Sequence, residues 1–538
     1  MTPTCLPPTT PGVSHRARRA VVAVLTVAAT LLATACGSSG EGTESHALRL
    51  LVPFTPGVWD PRQVSAWPLS GLLLVNEPLT VYQPDGTNAP NLAEKVEQPS
   101  PTQFVYTLRP GVTFSDGTAF TAEDVKFSFE LHMGEDAESV SAAYWRSVAS
   151  VDVTGENQVT VTLSEPDAQF PYTVSKTPIV SKAYYAAHGD EVGTSTVPNI
   201  GTGPYVFDAF TAYATTTLVP NPGYWGPKAT YDSITLETPK DDSARQLALQ
   251  SGEVDGIYNP PLGQLGSFQA LPGFTSHEGP DLSVYRIAFD TTKAPFDDPA
   301  VRRAIMHAID RQALVDGVFG GNAELAPTLV PESITARNAD AAAVAAAYQE
   351  LEAGLTHDIA AARDALAHSS RPDGFTVEVP VQSSDPNQSL IVQTIGQDLA
   401  EIGITVTVTA QDDATFLNAV YAEHSTPGMV VDSWTGSSPD PVNMPRNMLM
   451  PGSLGNIAQY ANPAVTDLLN RYQSMSPTDP ERTAVLLQAL STAQQDVPYV
   501  PLLFPKVFCF VRDDFAVTDF DTLWWMTRWP EHVTPAAP

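Results

Sequence analysis

Two stretches of this 538-residue sequence serve as landmarks for its domain organisation: Asn199-Ile-Gly-Thr-Gly-Pro-Tyr-Val-Phe207 and Leu218-Val-Pro-Asn-Pro-Gly-Tyr-Trp-Gly226. Both combine apolar strand residues with glycine and proline, which permit or stiffen tight turns. We predict that Gly201 and Gly203 adopt backbone angles closed to other residues, and that the two strands 205–210 and 215–219 follow. A stiff re-entry of this kind suits a chain that returns to a domain it left earlier.

Gly201 and Gly203 also match the first half of a dinucleotide-binding fingerprint. The third glycine of that fingerprint is missing, because Phe207 stands near its place. A phosphate loop also needs a helix whose N-terminus holds the anion, and no helical pattern follows here. The stretch therefore favours a structural turn over a nucleotide site.

Length and composition limit the class of protein. A chain of 538 residues is too long for one core, so two or three domains are expected. Hydrophobic residues make up 43% and charged residues 16%, which is typical of globular chains. The net charge of −32 repels phosphate backbones, so we expect no nucleic-acid partner.

The amino terminus has the pattern of an export signal. A basic region, 15–19, precedes sixteen mostly small or apolar residues, 20–35, which are too short a run for a membrane span. Leu32-Ala-Thr-Ala-Cys36-Gly37 then resembles a bacterial lipoprotein box, although Ala33 stands where leucine is usual. We predict a lipoprotein signal peptide over 1–35, lipidation of Cys36 and a flexible tether over 36–46. The alternative is a plain secretory signal with an incidental cysteine.

The three cysteines predict neither an internal disulfide nor a zinc site. Cys5 lies in the predicted signal peptide and Cys36 would carry lipid, which leaves only Cys509. A single cysteine forms no internal disulfide, and no paired Cys or His spacing typical of zinc occurs. Cys509 lies in an apolar strand pattern and is expected to be a core residue.

Strand and helix patterns alternate along the chain and predict an α/β protein. Strands are expected at 47–52, 104–109, 158–163, 283–289, 375–379, 404–408 and 500–511. Helices are expected at 90–95, at 122–132 behind a capping box that starts at Thr121, and behind the caps Asp298, Asp340 and Asp358.

Taken in order, the motifs of this chain resemble those of the large solute-binding proteins of ABC importers. That class includes oligopeptide-, dipeptide- and nickel-binding proteins. The matching stretches extend over nearly the whole chain after the predicted tether. They are 59–61 (WDP), 76–79 (NEPL), 90–93 (PNLA), 108–112 (LRPGV), 114–118 (FSDGT), 121–125 (TAEDV), 201–205 (GTGPY), 221–225 (NPGYW), 249–255 (LQSGEVD), 294–298 (APFDD), 301–302 (VR), 308–311 (AIDR), Trp434 and 440–441 (DP).

The resemblance implies a periplasmic-binding-protein-like α/β fold, with two α/β lobes around a cleft and an inserted third lobe. Lobe I would comprise 47–80, 198–283 and 500–538. Lobe II would be the insert 81–197, and lobe III would be 284–499. Ligand would lie between lobes I and III, which would close on it about a hinge.

The resemblance also implies ligand contacts on the segment that begins at Trp434. Peptide-binding members have a Trp-x-x-Asp segment whose aspartate pairs with the α-ammonium group of the peptide, and here Ser437 stands in its place. An ammonium that faces only a hydroxyl loses a charge-assisted hydrogen bond, typically about 1.5–3 kcal/mol. Asp432 or Asp440 could substitute, although Asp440 precedes a proline and is favoured as a turn residue.

Four further residues are candidates for the lining of the cleft. Ala66 and Trp67 occupy a loop that lines the cleft in relatives, and Trp67 beside Pro68 would pack poorly in a core and offer a stacking surface. The strand start that includes Tyr285 and the region of Phe504 also face the cleft in relatives.

The expected function is that of an extracytoplasmic, membrane-anchored receptor that delivers a small polar solute to an ABC permease and its ATPase subunits. Short peptides are the first choice, and the Ser437 departure leaves an oligosaccharide, an amino compound or a metal chelate as alternatives. A non-transport surface lipoprotein and a hydrolase are the competing classes. No catalytic motif occurs and the ten histidines are scattered. We therefore expect no enzyme, no cofactor, no metal site and a monomer.

Overall fold

The computed structural model describes residues 46–64, 67–134, 137–239, 241–337, 339–476 and 479–536. The predicted signal peptide, Cys36, the tether up to residue 45 and Ala66 lie outside these ranges. The strands are β1 Ala47–Leu51, β2 Thr80–Tyr82, β3 Asn88–Pro90, β4 Ala93–Ser100, β5 Gln103–Leu108, β6 Val148–Gly155, β7 Gln158–Leu163, β8 Tyr205–Thr211, β9 Thr215–Pro220, β10 Ser233–Glu237, β11 Gly256–Tyr258, β12 Phe274–Pro280, β13 Ser283–Phe289, β14 Ala323–Leu325, β15 Phe375–Gln382, β16 Ile404–Gln411, β17 Met429–Thr435, β18 Tyr499–Arg512, β19 Phe515–Val517 and β20 Val533–Pro535.

Helices alternate with these strands along most of the described chain, as the sequence predicts. They are α1 Leu69–Leu72, α2 Ala122–Glu130, α3 Phe170–Ser175, α4 Lys182–His188, α5 Asp242–Gln250, α6 Leu265–Gln269, α7 Pro299–Ala308, α8 Arg311–Gly317, α9 Glu332–Thr335, α10 Ala341–Ala353, α11 Ile359–Ala367, α12 Pro386–Ala400, α13 Asp413–Leu417, α14 Asn443–Leu449, α15 Pro463–Ser474 and α16 Arg482–Asp496. None of the helices in the described ranges is both long enough and apolar enough to cross a membrane.

A ten-stranded sheet runs through most of the described chain. Its order is β17-β13-β18-β11-β1-β10-β9-β8, and β12 and β14 also pair with β18. The long strand β18 therefore has two sets of partners in the sheet: its first half pairs with β13 and β14, and its second half pairs with β12 and β11. We call these two parts of the sheet its two neighbourhoods.

Two adjacent antiparallel segments carry the sheet from one neighbourhood to the other. One is β12 followed by β13, and the other is β18; we call them together the crossing ribbon. Pro280 and Pro505 lie where the ribbon changes neighbours, and the Asp281 amide donates to the Pro505 carbonyl over 3.2 Å. Proline cannot donate to a strand ladder, so the ribbon lacks the amide donors of both residues at this point.

The region of the predicted insert forms a sheet of its own, with the order β4-β5-β7-β6. Its apolar face packs with α2 and α3 into one buried cluster around Phe104, Tyr106, Phe129 and Trp145. Alternate residues of β5 and β7 are buried, as the alternating pattern in the sequence predicts. The lobe boundaries themselves stay predictions.

The return stretch at Gly201 and Gly203 is held against the chain by backbone contacts. The Gly203 amide donates to the Val75 carbonyl over 2.9 Å. A Cβ atom on Gly201 would lie 1.8 Å from the Val75 oxygen, and one on Gly203 would lie 2.3 Å from the Leu74 oxygen. Neither glycine has a positive φ. The prediction of unusual backbone angles is therefore wrong, and close backbone approach is the reason that glycine is needed here.

Beside this contact, the buried carboxylate of Glu77 joins the two opening stretches. It accepts hydrogen bonds from the hydroxyl of Thr202 at 3.0 Å, the hydroxyl of Tyr224 at 3.0 Å and the indole of Trp225 at 2.8 Å. Burial raises its pKa, although Arg528 at 3.3 Å opposes that shift. Asn221-Pro-Gly-Tyr-Trp225 is thus part of the structural core of the re-entry.

The helix predicted over 90–95 is wrong, because Pro90 ends β3 and Ala93 begins β4, with a two-residue bend between them. Ala93 pairs with Leu108 and Lys95 with Thr107, so pairing with β5 overrides the local helical preference of the segment. By contrast, the helix caps are confirmed: Thr121 and Asp124 form the capping box, and the Asp298 carboxylate accepts from the Ala300 amide over 2.8 Å.

Candidate ligand-binding site

The segment 434–440, which we call the site loop, starts where β17 ends beside the crossing ribbon. Thr435 pairs with Ser283 at the first position of β13. The Gly436 amide then donates to the Leu282 carbonyl over 2.9 Å. These bonds fix the beginning of the site loop at the point where the ribbon changes neighbours.

Trp434 is half-buried at the start of the site loop. Its ring lies 5.9 Å from that of Tyr421, and a Cβ atom on Gly455 would lie 3.0 Å from it. Glycine at 455 therefore makes room for the indole. The Trp434 Nε1 atom is buried and has no hydrogen-bond partner among the described residues. The indole nitrogens of the core residues Trp59, Trp145 and Trp524 share this property, so the surface that Trp434 offers to a solute is its half-buried ring rather than its N–H.

Asp432 is fully occupied by protein partners. Its two oxygens lie 2.9 and 3.0 Å from nitrogens of Arg286, and Tyr421 donates to it over 2.7 Å. The Arg286 and Asp432 side chains are 0% and 2% exposed. The face of the Tyr499 ring, 4.5 Å away, covers the guanidinium. This is an internal ion pair with no free carboxylate oxygen to offer a solute.

Asp440 is also held inside the protein. Arg482 donates to its Oδ2 atom over 2.8 Å, while the Tyr472 hydroxyl and the Val442 amide donate to Oδ1 over 3.0 Å each. The Arg482 guanidinium lies 3.9 Å from the centre of the Tyr472 ring. These contacts support the turn interpretation of Asp440, and they leave neither Asp432 nor Asp440 free to replace the aspartate that Ser437 displaces.

Ser437 lies in a small polar cluster that joins the site loop to the insert region. Its amide donates to Asn443 Oδ1 over 2.9 Å, and Asn443 Nδ2 donates to its Oγ atom over 3.1 Å. The same Asn443 amide group also donates to Gln169 Oε1, just before α3. From the far end of α3, the ammonium of Lys176 donates to the Ser437 carbonyl.

Lys176 has an unusual environment for a lysine. Its ammonium nitrogen lies 4.8 Å from the centre of the Tyr144 ring. No ion pair links it to any carboxylate of the described residues. Burial, with no opposing charge, lowers the pKa of Lys176 to about 8. The group therefore remains largely protonated at neutral pH without a protein counter-ion.

Trp67 lies in the core, contrary to the expectation that a proline-flanked tryptophan would pack poorly there. Only 8% of its surface is exposed, and its ring stacks on that of Tyr258 at 4.1 Å and 17°. One face of the ring is thus already used by the protein. A role for Trp67 in ligand binding stays a prediction, and Ala66 lies outside the described residues.

Tyr285 and Phe504 are both buried at the crossing ribbon. The Tyr285 ring packs edge-on against Phe319, and its hydroxyl donates to Asp385 over 3.4 Å. Phe504 lies in β18, opposite Glu324 of β14 and one residue before Pro505. The structure therefore brings Tyr285, Phe504 and the site loop together around the ribbon, and their contact with a solute stays a prediction.

Three residues of this region escape sequence reasoning. Arg286 and Arg482 neutralise the carboxylates that the sequence offers as candidates, and Lys176 contributes a cation from 261 positions away in the chain. No local motif marks them, because each owes its role to tertiary contacts. A basic residue in a mostly apolar stretch, as Lys176 is in 174–180, is the only signal that the sequence carries.

The described residues contain neither a metal cluster nor a reactive cysteine. Within the described ranges, no three His, Cys, Asp or Glu side chains lie together so that they could hold a metal ion. Cys509 is buried in β18, and burial raises the pKa of its thiol to about 12, so it is not a reactive thiolate.

Comparison with known proteins defines the class. Residues 87–456 match the family model "Bacterial extracellular solute-binding proteins, family 5 Middle". The chain belongs to this family and is a solute-binding protein of the ABC-importer type. It is similar to the glutathione-binding protein GsiB of Shigella dysenteriae serotype 1, with 28% identity over 419 residues, 75% of this chain and 78% of that protein. It also resembles the heme-binding protein A of Haemophilus influenzae, with 26% identity over 469 residues, 80% of this chain and 83% of that protein.

Solved structures share the fold. The periplasmic binding protein DppA of Helicobacter pylori, solved in complex with the peptide STSA, superposes with a TM-score of 0.74. The match has 24% identity and covers 92% of this chain and 98% of DppA. The predicted periplasmic-binding-protein-like α/β fold is thereby confirmed, and the relatives are transport receptors rather than enzymes.

Proposed function

We propose that this chain captures short peptides in a cleft between lobes I and III, closes on them about the crossing ribbon, and delivers them to an ABC permease. The observation that carries the proposal is the position of the site loop. It is bonded to the ribbon through Gly436 and Leu282, at the place where Pro280 and Pro505 weaken the ladder. A solute bound there would touch both neighbourhoods of the sheet at the point about which we propose that they move.

Closure would follow from differential affinity. A solute that contacts both sides of the cleft binds the closed form better than the open form, and it shifts the population accordingly. The half-buried ring of Trp434 is one surface that a bound solute would contact. The permease would then recognise the closed shape, so only loaded receptors would engage it.

Two observations favour peptides over the other solutes: the backbone groups at the site, and the ligands of related proteins. Exposed strand ends and loop carbonyls can pair with a peptide backbone without specifying side chains. Relatives and structural neighbours include a glutathione-binding protein and a protein solved with a bound tetrapeptide. An oligosaccharide, an amino compound or a metal chelate would be the outcome if peptides fail.

The ligand class can be tested by thermal unfolding of protein purified without refolding. Native mass spectrometry would first identify any solute that co-purifies, and libraries of di- to pentapeptides, with glutathione included, would then be compared with oligosaccharides. A ligand at about 100 times its Kd adds roughly 2.7 kcal/mol of stability. A shift with oligosaccharides and none with peptides would overturn the peptide assignment.

Replacement of Trp434 with Ala separates a ligand contact from a core residue. We expect loss of the peptide-induced shift, because the indole surface is removed, with little change in the stability of the free protein. Leu247→Ala is the matched control, since Leu247 is 66% exposed on α5 and should keep the shift. A large fall in the stability of free Trp434→Ala would instead identify Trp434 as a packing residue.

Membrane attachment is a separate part of the proposal and rests on the sequence around Cys36. Acylation of this cysteine would hold the receptor at the outer face of the cell membrane, with 36–46 as the tether. We expect the wild-type chain to partition into detergent and Cys36→Ser to be released into the aqueous phase. Equal detergent partitioning of the two would overturn the lipid anchor and leave the binding function untouched.

A further inference from the structure

The ammonium of Lys176 offers more hydrogen bonds than the protein uses. A lysine ammonium has three donors, and the structure gives this one a single acceptor, the carbonyl oxygen of Ser437. The Tyr144 ring at 4.8 Å covers one side of the group but accepts no conventional hydrogen bond. Two N–H donors are therefore left for a partner that the described residues do not supply.

The charge of Lys176 indicates that the group that would bind its ammonium is an anion. Lys176 has no carboxylate within ion-pair distance among the described residues, in a chain whose net charge is −32. The neighbouring buried cations differ, since Arg286 is paired with Asp432 and Arg482 with Asp440. Lys176 is half-buried, and a cation that has lost part of its contact with water without gaining a counter-charge is unfavourable, so an arriving anion would relieve that cost.

A second donor stands beside the first. The Oγ atom of Ser437 accepts from Asn443, and none of the described residues accepts the proton of that hydroxyl. The backbone of Ser437 is fixed from both sides, by Asn443 at its amide and by Lys176 at its carbonyl. The Lys176 ammonium, bound to the Ser437 carbonyl, and the hydroxyl of Ser437 itself form a pair of donors that suits the two oxygens of a carboxylate.

We propose that Lys176 and Ser437 form a carboxylate-binding subsite, so that the solute of this receptor presents an anionic group at the site loop. This inference rests on the proposed peptide-binding function and names the group that the peptide presents: a carboxylate, either terminal or on a side chain. Asp432 and Asp440 do not repel it, because each is already paired with an arginine. The bond is charge-assisted and partly shielded from water by the Tyr144 ring, which makes it selective for the ionised acid over its neutral amide.

The subsite can be tested with pairs of peptides that differ in one group. Each peptide that binds is compared, by calorimetry, as its free acid and as its C-terminal amide, with the amino terminus left free in both. A further pair, Ala-Glu-Ala amide and Ala-Gln-Ala amide, distinguishes a side-chain carboxylate from a terminal one. We expect at least a tenfold preference for the carboxylate member of one pair.

Variants then assign the preference to Lys176. Lys176→Met should weaken the acid at least tenfold, to the level of the amide, while Lys176→Arg should retain the preference. Lys182→Met is the matched control, because Lys182 lies in the same region but pairs with Glu123 at the surface. Melting of each free variant shows whether it is folded.

The outcomes separate the inference from the function on which it rests. Acids and amides that bind the wild type equally well would overturn the subsite and leave peptide binding standing, as would a carboxylate preference that persists in Lys176→Met. Failure of every peptide to bind would overturn the proposed function itself, and the subsite with it.

Discussion

The two sides of the site loop treat buried charge in opposite ways. On the side of β13 and α16, Asp432 and Asp440 are each held by an arginine and a tyrosine hydroxyl. On the side of the insert, Lys176 meets only a carbonyl oxygen and an aromatic ring. Each carboxylate of the first arrangement has a cationic partner in the protein, whereas the ammonium of Lys176 has no anionic partner among the described residues.

The difference separates groups that build the site from groups that are available to a solute. A candidate residue is informative only once its partners are known, since a carboxylate already neutralised by arginine has little affinity left for an ammonium. Removal of a charge should therefore have different consequences on the two sides: the protein loses stability where the charge is paired, and it loses ligand affinity where the charge is not paired.

The largest effect is expected from Asp432→Asn. It leaves the Arg286 guanidinium, which is 0% exposed, without its counter-charge, and the free energy of unfolding should fall by about 3–5 kcal/mol. Chemical denaturation measures this loss. Glu481→Gln, which breaks an exposed pair with Arg471, should change the midpoint far less. Similar losses for the two variants would show that the buried pair contributes no more to stability than the exposed pair does.

A smaller loss is expected from Asp440→Asn. Arg482 keeps part of its contact with water and with the Tyr472 ring, so the free energy of unfolding should fall by about 1.5–3 kcal/mol. Ligand affinity, measured by calorimetry on the folded variant, should stay close to that of the wild type. A large affinity loss with unchanged stability would make Asp440 a ligand contact and overturn its structural role.

The effect of Lys176→Met on stability should depend on pH. The folded pKa of about 8 lies below the ordinary value of 10.5, so the unfolded chain binds more protons between these limits. The unfavourable contribution of Lys176 is complete below pH 8 and disappears as the pH rises towards 10.5.

The stability of the wild type relative to Lys176→Met should therefore increase from pH 7.5 to pH 10. Denaturant titrations of both proteins at each pH measure this difference, in which the titration of other groups cancels. A difference that stays flat with pH, or that falls, would mean that Lys176 is not strained by burial in the free receptor.

Local patterns in the sequence predict the elements of this fold well where local forces decide them. The helices behind Thr121, Asp298, Asp340 and Asp358 begin where their caps predict, because capping is settled within four residues. The segment 90–95 fails for the opposite reason. Its strand depends on pairing with β5, a partner that local propensity does not contain.

The site is predictable only in outline. Motif order locates Trp434, Ser437 and Asp440 on one loop, and that loop does lie against the crossing ribbon. What the residues do there depends on Arg482, Arg286 and Lys176, which approach from distant parts of the chain. Pairing of that kind leaves no periodicity or spacing in the sequence, so the division into occupied and open charges required the structure.

The crossing ribbon has a mechanical consequence. Its two segments are neighbours in one ladder and change partners at a single level, near Pro280 and Pro505. Such a ribbon can bend or twist there, whereas sliding one segment past the other would break the backbone hydrogen bonds between them. Because the Gly436 amide is bonded to Leu282 on the axis of that bend, the site loop would stay almost stationary while distant surfaces travel furthest.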